Sequence, residues 1–339
     1  MEALFYQKKE NGKVECNLCP HNCIISDGKA GICRVRRNEK GTLFARNYEM
    51  VSSMGFDPIE KKPLYHFYPG AEILSVGSLG CNLQCQFCQN WQISQTSVED
   101  FKRGTEKITA DEVVNLALSK ENNLGIAYTY NEPAIFYEFM LDTAKKAKKQ
   151  NLKNVMVTNG FISQKPLTEL HDYIDAYGVD LKAFNNDFFM KYTKSTLHPV
   201  KEALVNIAKA GKHLEVTNLV IPGLNDSVEE FEEMVKWIKQ NLGKEVVLHI
   251  SRYYPTYKLK VESTLVEKML QLHKIALRYL DFVYLGNVQL PEGNHTFCPT
   301  CNEILINRTG YMIKIESVND QGECLKCDTH VFKYLNQDK

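Results

Sequence analysis

Residues 71–92 read AEILSVGSLGCNLQCQFCQNWQ. The first eight are short, apolar and strand-like, and the loop after them carries Cys81, Cys85 and Cys88 spaced C-x3-C-x2-C. Downstream of this loop, strand-like runs recur at intervals, with a helix between each pair. Thr109-Ala-Asp-Glu112 reads as a capping box opening a helix through about Leu118. LGIAYTY at 124–130 is the next strand, and Pro133 suits the first turn of the next helix, where its missing N–H costs nothing. NVMVT at 154–158 precedes a helix from about 164, GVDLKAF at 178–184 one from about 198, and LEVTNLVI at 214–221 one capped by Asp226 with Glu229 three residues on. VVLHIS at 246–251 is succeeded by a helix from about Thr264 to Tyr279, and FVYLG at 282–286 is a seventh strand. Strands separated by helices of about 10 to 18 residues argue for right-handed βαβ units and a parallel sheet. The expected fold class is therefore α/β, six such units forming an open or closed barrel. Active sites in that architecture lie at the carboxyl ends of the strands, which puts the cysteine triplet on the catalytic rim.

The chain has 339 residues, enough for about two domains or one large barrel with extensions. Its composition, 44% hydrophobic and 24% charged, is that of a globular protein and excludes low-complexity or collagen-like readings. Forty-one basic residues balance forty-one acidic ones, which gives no overall attraction to nucleic acid or anionic lipid. The first sixteen residues lack a secretion signal, and no run reaches the roughly 18 apolar residues that span a bilayer. The expectation is a cytoplasmic protein with no membrane segment, in which eleven cysteines serve metals or chemistry and not disulfides.

Those cysteines fall in three groups: Cys16, Cys19, Cys23 and Cys33; then Cys81, Cys85 and Cys88; then Cys298, Cys301, Cys324 and Cys327. The middle loop supplies three ligands and no local fourth. A structural zinc wants four, whereas an iron–sulfur cluster with one iron left open wants three; a zinc site completed by a distant residue such as His249 is the alternative. At the carboxyl end, CPTC and CLKC are two knuckles flanking the strand-like EILINRTGYMIKI, which is zinc-ribbon spacing. The amino-terminal spacing C-x2-C-x3-C-x9-C suits zinc or an additional iron–sulfur cluster equally. The lysine run at 145, 146, 148 and 149 reads as a solvated helix end, and Tyr65, Phe67 and Tyr68 as packing beneath the barrel.

The C-x3-C-x2-C loop, with Phe87 before its last cysteine and a position after the first barrel strand, resembles the radical S-adenosylmethionine (radical SAM) superfamily. The resemblance implies a partial (β/α)6 barrel with cysteine-rich metal-binding extensions at both ends, divided as 1–70, 71–290 and 291–339. It implies a 4Fe-4S cluster on Cys81, Cys85 and Cys88 whose open iron chelates SAM, reductive cleavage to a 5′-deoxyadenosyl radical, and hydrogen abstraction from a substrate. Tyr128-Thr-Tyr-Asn-Glu132-Pro133 stands where superfamily members carry a Gly-Gly-Glu-Pro-like turn; Glu132 and Pro133 match and the two glycines do not. Thr158-Asn159-Gly160 and Asp180-Leu181-Lys182 are similar to turns of glycyl-radical activating enzymes, with Val157 in place of their aspartate. Phe87, Glu132, Thr158, Asn159, Lys182, Asn218, His249 and Arg252 are thus the candidate cofactor-binding residues.

The runs DPIEKKPLYHFYPG, CQFCQNWQIS, YTYNEP, VTNG, DLKAF, LHISRYYP and YLGNV together resemble the AmmeMemoRadiSam system radical SAM enzymes, relatives of the pyruvate formate-lyase activating enzymes. That implies Memo-like and AMMECR-like protein partners, an electron donor such as flavodoxin or ferredoxin, and a hydrogen donor that is a small molecule or a partner-protein residue. Two other functions stay in view: a noncatalytic zinc-binding adaptor, and a radical SAM enzyme acting on RNA, which the zero net charge counts against.

Overall fold

A computed structural model of the chain describes residues 1–102, 104–288 and 290–335; the last four residues of the 291–339 segment lie outside the described residues. Its centre is an eight-stranded sheet. The strands are β1 (Ser53–Pro58), β2 (Glu72–Gly77), β3 (Asn123–Tyr128), β4 (Lys153–Thr158), β5 (Ala176–Asp180), β6 (His213–Val220), β7 (Val247–Arg252) and β8 (Val283–Gly286). They lie side by side in chain order, β2 to β8 parallel and β1 antiparallel to β2. The longer helices between the parallel strands are α1 (Ala110–Ser119), α2 (Tyr137–Lys149), α3 (Gln164–Leu170), α4 (Leu197–Lys209), α5 (Val228–Leu242) and α6 (Val266–Ala276). The order has two free ends, β1 and β8, so the expected α/β architecture is present as an open barrel.

The local signals explain most boundaries. Thr109 and Glu112 form the reciprocal capping box at α1. Pro133 opens a 3-10 turn, Pro133–Phe136, and the α-helix starts only after it. The α5 cap falls one residue later than expected: Ser227 accepts from the Glu230 N–H, while Asp226 accepts from the Gly223 N–H and stabilises the preceding turn. Strand β1 is absent from the sequence reading because Ser-Met-Gly-Phe-Asp-Pro carries three residues depleted in strands. An edge position tolerates them, since one side of β1 has no ladder to complete.

Period-two alternation sorts the strands into an inside and a helix side. Thr217, Leu219 and Ser251 face the interior cleft, while Val216, Val220 and Ile250 are buried in the main core. The segment between β1 and β2 plugs the barrel floor: Ile59, Leu64, Phe67 and Tyr68 pack with Ile73, Leu124, Val155 and Ala176 near the strands' amino ends. Phe67 and Tyr68 are thus packing residues, as expected. The floor also holds Glu215 of β6, fully buried, which accepts from the Tyr65 and His66 N–H groups at 2.9 and 2.8 Å and from His213 and His249 Nε2 at 2.9 and 2.6 Å.

The amino-terminal residues form a small three-stranded sheet, Tyr6–Lys8, Val14–Cys16 and Ile24–Ile25, and a hairpin, Arg36–Glu39 with Thr42–Ala45. Val14, Leu18, Val35 and Leu43 belong to the same apolar core as the barrel, and Phe5 packs edge-on against Tyr137 of α2. The carboxyl end has its own small core of Leu305, Ile306, Val318 and Phe332 around a three-stranded sheet, Thr296–Phe297, Ile304–Thr309 and Met312–Ile315. Arg308 ties it to the floor, donating to Thr296 Oγ1 and to the Tyr65 carbonyl and lying over the Tyr65 ring. Among the described residues no helix is long and apolar enough to cross a membrane.

Candidate active site

The carboxyl ends of the strands surround a cleft of about 510 Å³. Cys81, Cys85 and Cys88 reach it from the loop after β2, Glu132 from the turn after β3, Thr158 and Asn159 from the end of β4, and Asp180 and Lys182 from the end of β5. Parallel strands pointing one way deliver residues far apart in sequence to one rim.

The cysteine loop is held from both sides. Gly80, just before it, adopts φ +87°, and a Cβ there would lie 2.6 Å from the Cys33 carbonyl oxygen, so only glycine allows the two cysteine-bearing loops to touch. On the other side Gln84 and Gln86 N–H donate to the Thr193 and Tyr192 carbonyls. Burial pushes the Cys85 thiol up to about 12 and Cys81 well above the ordinary thiol range. Burial raises Cys88 as well; a metal cluster bound by the three sulfurs would supply the positive charge that favours their thiolate form. Phe87 is buried against Phe188, ring centroids 5.7 Å apart, and walls the cleft beside them.

Glu132 is fully buried, and its carboxylate accepts from the Ala134 N–H (3.0 Å), Thr158 Oγ1 (2.7 Å) and the Asn159 N–H (2.8 Å). Burial raises it to about 7 although these donors pull it down. Asn159 donates to Asn82 Oδ1 at 2.9 Å and lies 3.8 Å from Cys81 Sγ, which couples the β4 turn to the cysteine loop. Lys182 donates to Asp180 at 2.9 Å; burial lowers its affinity for a proton, but the Asp180 carboxylate outweighs this and it stays cationic.

Three other candidates stand elsewhere. His249 is one layer down at the floor, its Nε2 bonded to Glu215. Asn218 faces the helix side, donating to the Leu181 carbonyl at 2.8 Å. Arg252 donates to the Thr264 carbonyl and Tyr254 hydroxyl and lines a neighbouring cleft with Asn294 and Tyr311.

The cleft contains residues that sequence reading did not single out. Asp57, Lys61 and Lys62 line its β1 side, and Asp57 accepts from Lys61 (3.0 Å), Lys62 (2.7 Å) and the Tyr130 hydroxyl (2.8 Å). Partial burial works to raise Asp57, but these donors hold it well below the usual carboxylate range. Their only signal was the charged run DPIEKK beside the first parallel strand, which becomes informative once β1 is known to pair there.

At the opposite end, the Cys298, Cys301, Cys324 and Cys327 sulfurs all lie within 4.8 Å of one another, with Cys298–Cys327 at 3.5 Å and Cys301–Cys324 at 3.6 Å. These separations rule out disulfides, whose S–S bond is about 2.05 Å. A tetrahedral zinc with Zn–S of about 2.3 Å has S–S edges of about 3.8 Å, and the cage fits it.

The chain matches the Radical SAM superfamily model over residues 75–307. An uncharacterised protein of Methanocaldococcus jannaschii is 41% identical over 96% of both chains. The pyruvate formate-lyase-activating enzyme of Clostridium pasteurianum is 23% identical, covering 60% of this chain and 89% of that one. Among solved structures, Streptococcus suis SuiB bound to S-adenosylmethionine superposes with a TM-score of 0.51 at 14% identity, over 71% of this chain and 55% of SuiB, a likeness of fold.

Proposed function

The chain belongs to the radical SAM superfamily, and from that premise we propose that Cys81, Cys85 and Cys88 hold a 4Fe-4S cluster, that SAM fills the adjoining cleft, and that the hydrogen donor is a residue of a partner protein. The observation that carries this is the convergence of three cysteines, with no fourth, on the same cleft as Glu132, Asn159 and Lys182. Three thiols leave a cluster corner open, and the cleft beside it is wide enough for a ligand of SAM's size.

Bound there, the cluster and SAM supply a one-electron cleavage of the sulfonium and a radical that takes hydrogen from substrate. The protein's part is binding, orientation and exclusion of water. Glu132 Oε2 accepts one bond, from Asn159 N–H, and keeps acceptor capacity for the SAM ammonium. The three donors already on Glu132 fix its rotamer, so accepting the ammonium costs little side-chain entropy. Lys182 and Asp180 place a paired cation and anion at the rim, complementary to a ligand with both charges. Phe87 and Leu83 keep the cysteine side apolar.

The finer reading, an AmmeMemoRadiSam system enzyme with Memo-like and AMMECR-like partners and a flavodoxin- or ferredoxin-class electron donor, is supported by the motifs running from DPIEKKPLYHFYPG to YLGNV. Similarity to glycyl-radical activating enzymes supports a protein substrate. The four carboxyl-terminal cysteines are assigned to zinc, on their tetrahedral spacing. The test is anaerobic incubation of reduced protein with SAM and each partner protein, partner backbone deuterated. 5′-Deoxyadenosine carrying deuterium supports the reading, and its absence with all partners overturns the protein-substrate assignment.

A further inference from the structure

Four more cysteines meet where the amino-terminal sheet joins the barrel. Cys16, Cys19, Cys23 and Cys33 line one narrow cavity together with His21, Arg36 and Asn82. Cys16, Cys19 and Cys33 are buried, and Cys23 is half-buried. Unlike the carboxyl-terminal sulfurs, they are not drawn into a tight cage: among the described residues, Cys298, Cys301, Cys324 and Cys327 are the one set of three or more such ligand atoms gathered within 4.8 Å. A single zinc ion needs that tight cage, whereas an iron–sulfur core occupies the space between its thiolates and holds them farther apart.

The cavity wall contains a second pointer. Arg36 is 1% exposed, with Nη1 on Glu138 at 2.9 Å and Nη2 on the Leu4 carbonyl. Its Nε is buried with no hydrogen-bond partner among the described residues. A buried N–H of a guanidinium left unpaired is costly, and native structures rarely keep one. In a cavity lined by four sulfur ligands, an anionic, sulfur-bearing group would give this N–H its acceptor. A tetrathiolate cluster is such a group, and N–H donors to its sulfurs raise its potential.

The cavity also adjoins the SAM-site loop. His21, between Cys19 and Cys23, places Nε2 2.8 Å from the Asn82 carbonyl oxygen, and because a carbonyl only accepts, that nitrogen carries the proton. Asn82 is the residue after Cys81 in sequence, and Gly80, the residue before it, touches the Cys33 backbone. The two cysteine sets are thus connected by one hydrogen bond and one backbone contact.

We propose that Cys16, Cys19, Cys23 and Cys33 bind a second iron–sulfur cluster, with Arg36 Nε facing its sulfur, and that this cluster is where electrons enter on their way to the SAM site. The step is a one-electron relay: a flavodoxin- or ferredoxin-class donor is oxidised by one electron, the second cluster is reduced and then reoxidised, and the SAM-site cluster is reduced. No bond or proton moves. The relay half rests on the reading of the SAM site given above; the metal assignment does not.

The first experiment therefore removes the SAM site. The full-length Cys81→Ala/Cys85→Ala/Cys88→Ala protein, reconstituted anaerobically with iron and sulfide, should retain two or four irons and a reduced-state EPR signal that SAM leaves unchanged. No iron, with zinc near two per chain, overturns the assignment. In that background Arg36→Lys, which keeps the charge opposite Glu138, should lower the cluster's reduction potential; an unchanged potential overturns the role of Arg36. With the SAM site intact, His21→Phe retains an aromatic ring against Phe161 but loses the bond to Asn82. Iron content should be unaltered and reduction of the SAM-site cluster by flavodoxin at least tenfold slower. An unchanged rate overturns the relay and leaves the cluster assignment to the first experiment.

Discussion

Replacing Glu132 by glutamine separates what this carboxylate costs the fold from what it gives to ligand binding. Burial raises its pKa from 4.5 to about 7 in the ligand-free protein. A carboxyl whose folded pKa lies above its unfolded value binds more proton when folded, so its favourable contribution is complete below about pH 4.5. That contribution is lost as the pH rises to about 7, and the curve is flat above. At about 1.4 kcal/mol per unit, the interval of roughly 2.5 units amounts to about 3 kcal/mol. Glutamine does not titrate, so the unfolding free energy of wild type minus that of Glu132→Gln should fall by about that much between pH 4.5 and pH 7.5. Subtraction cancels the constant cost of placing an amide among the donors of Ala134, Thr158 and Asn159, and also the titration of all other groups. Ligand binding should run the other way. A SAM ammonium favours the carboxylate, so wild-type affinity should strengthen as the pH rises through 7, and the variant should bind about thirtyfold weaker or worse at pH 8, the loss expected for one member of a buried charge pair. Denaturant titrations at several pH values and equilibrium binding under anaerobic conditions measure both. A flat stability difference, or equal SAM affinity, would refute the placement of Glu132 as a buried anion awaiting a cation.

Three further outcomes are expected. Single alanine variants of Cys81, Cys85 and Cys88 should lose reductive SAM cleavage while keeping wild-type far-UV circular dichroism, because each removes one thiol while Leu83 and Phe87 still anchor the rim loop in the core; cleavage by any of them contradicts the ligand assignment. Glu215→Ala should destabilise the protein by about 3 to 5 kcal/mol, since it strands four donors at the barrel floor, and urea titration reads this directly. Cys324→Ser should release one zinc per chain and make the segment after residue 296 the first site of proteolysis, because that segment's own apolar core is small and closed by metal.

The fold was legible because its signals are local and repeat. Each βα unit carries its own strand run and most carry a cap, so an error of one residue at Asp226 or a 3-10 turn at Pro133 leaves the alternation intact. Strand β1 was not legible, since edge pairing relieves a strand of the β-branched composition by which strands are recognised. With β1 unseen, Asp57, Lys61 and Lys62 had no reason to be assigned to the cleft.

Within the site, sequence position tells which end of a strand a residue occupies but not its depth or face. Cys81, Glu132, Asn159 and Lys182 all come after the last residues of their strands, where the chain has left the sheet and every side chain is near the rim. Asn218 and His249 lie inside strands, where two further coordinates matter. Alternation sets the first: Thr217 and Leu219 face the cleft, so Asn218 between them faces the helices, and this parity is readable once either neighbour is placed. Depth sets the second. His249 has the inward parity of Ser251 but lies two residues nearer the floor, where Glu215 has already taken its proton-bearing nitrogen. That partner stands 34 residues away on a neighbouring strand. The register joining β6 to β7 is a property of the assembled sheet, so an inward histidine on a strand becomes assignable to floor or rim only after the strands have been aligned.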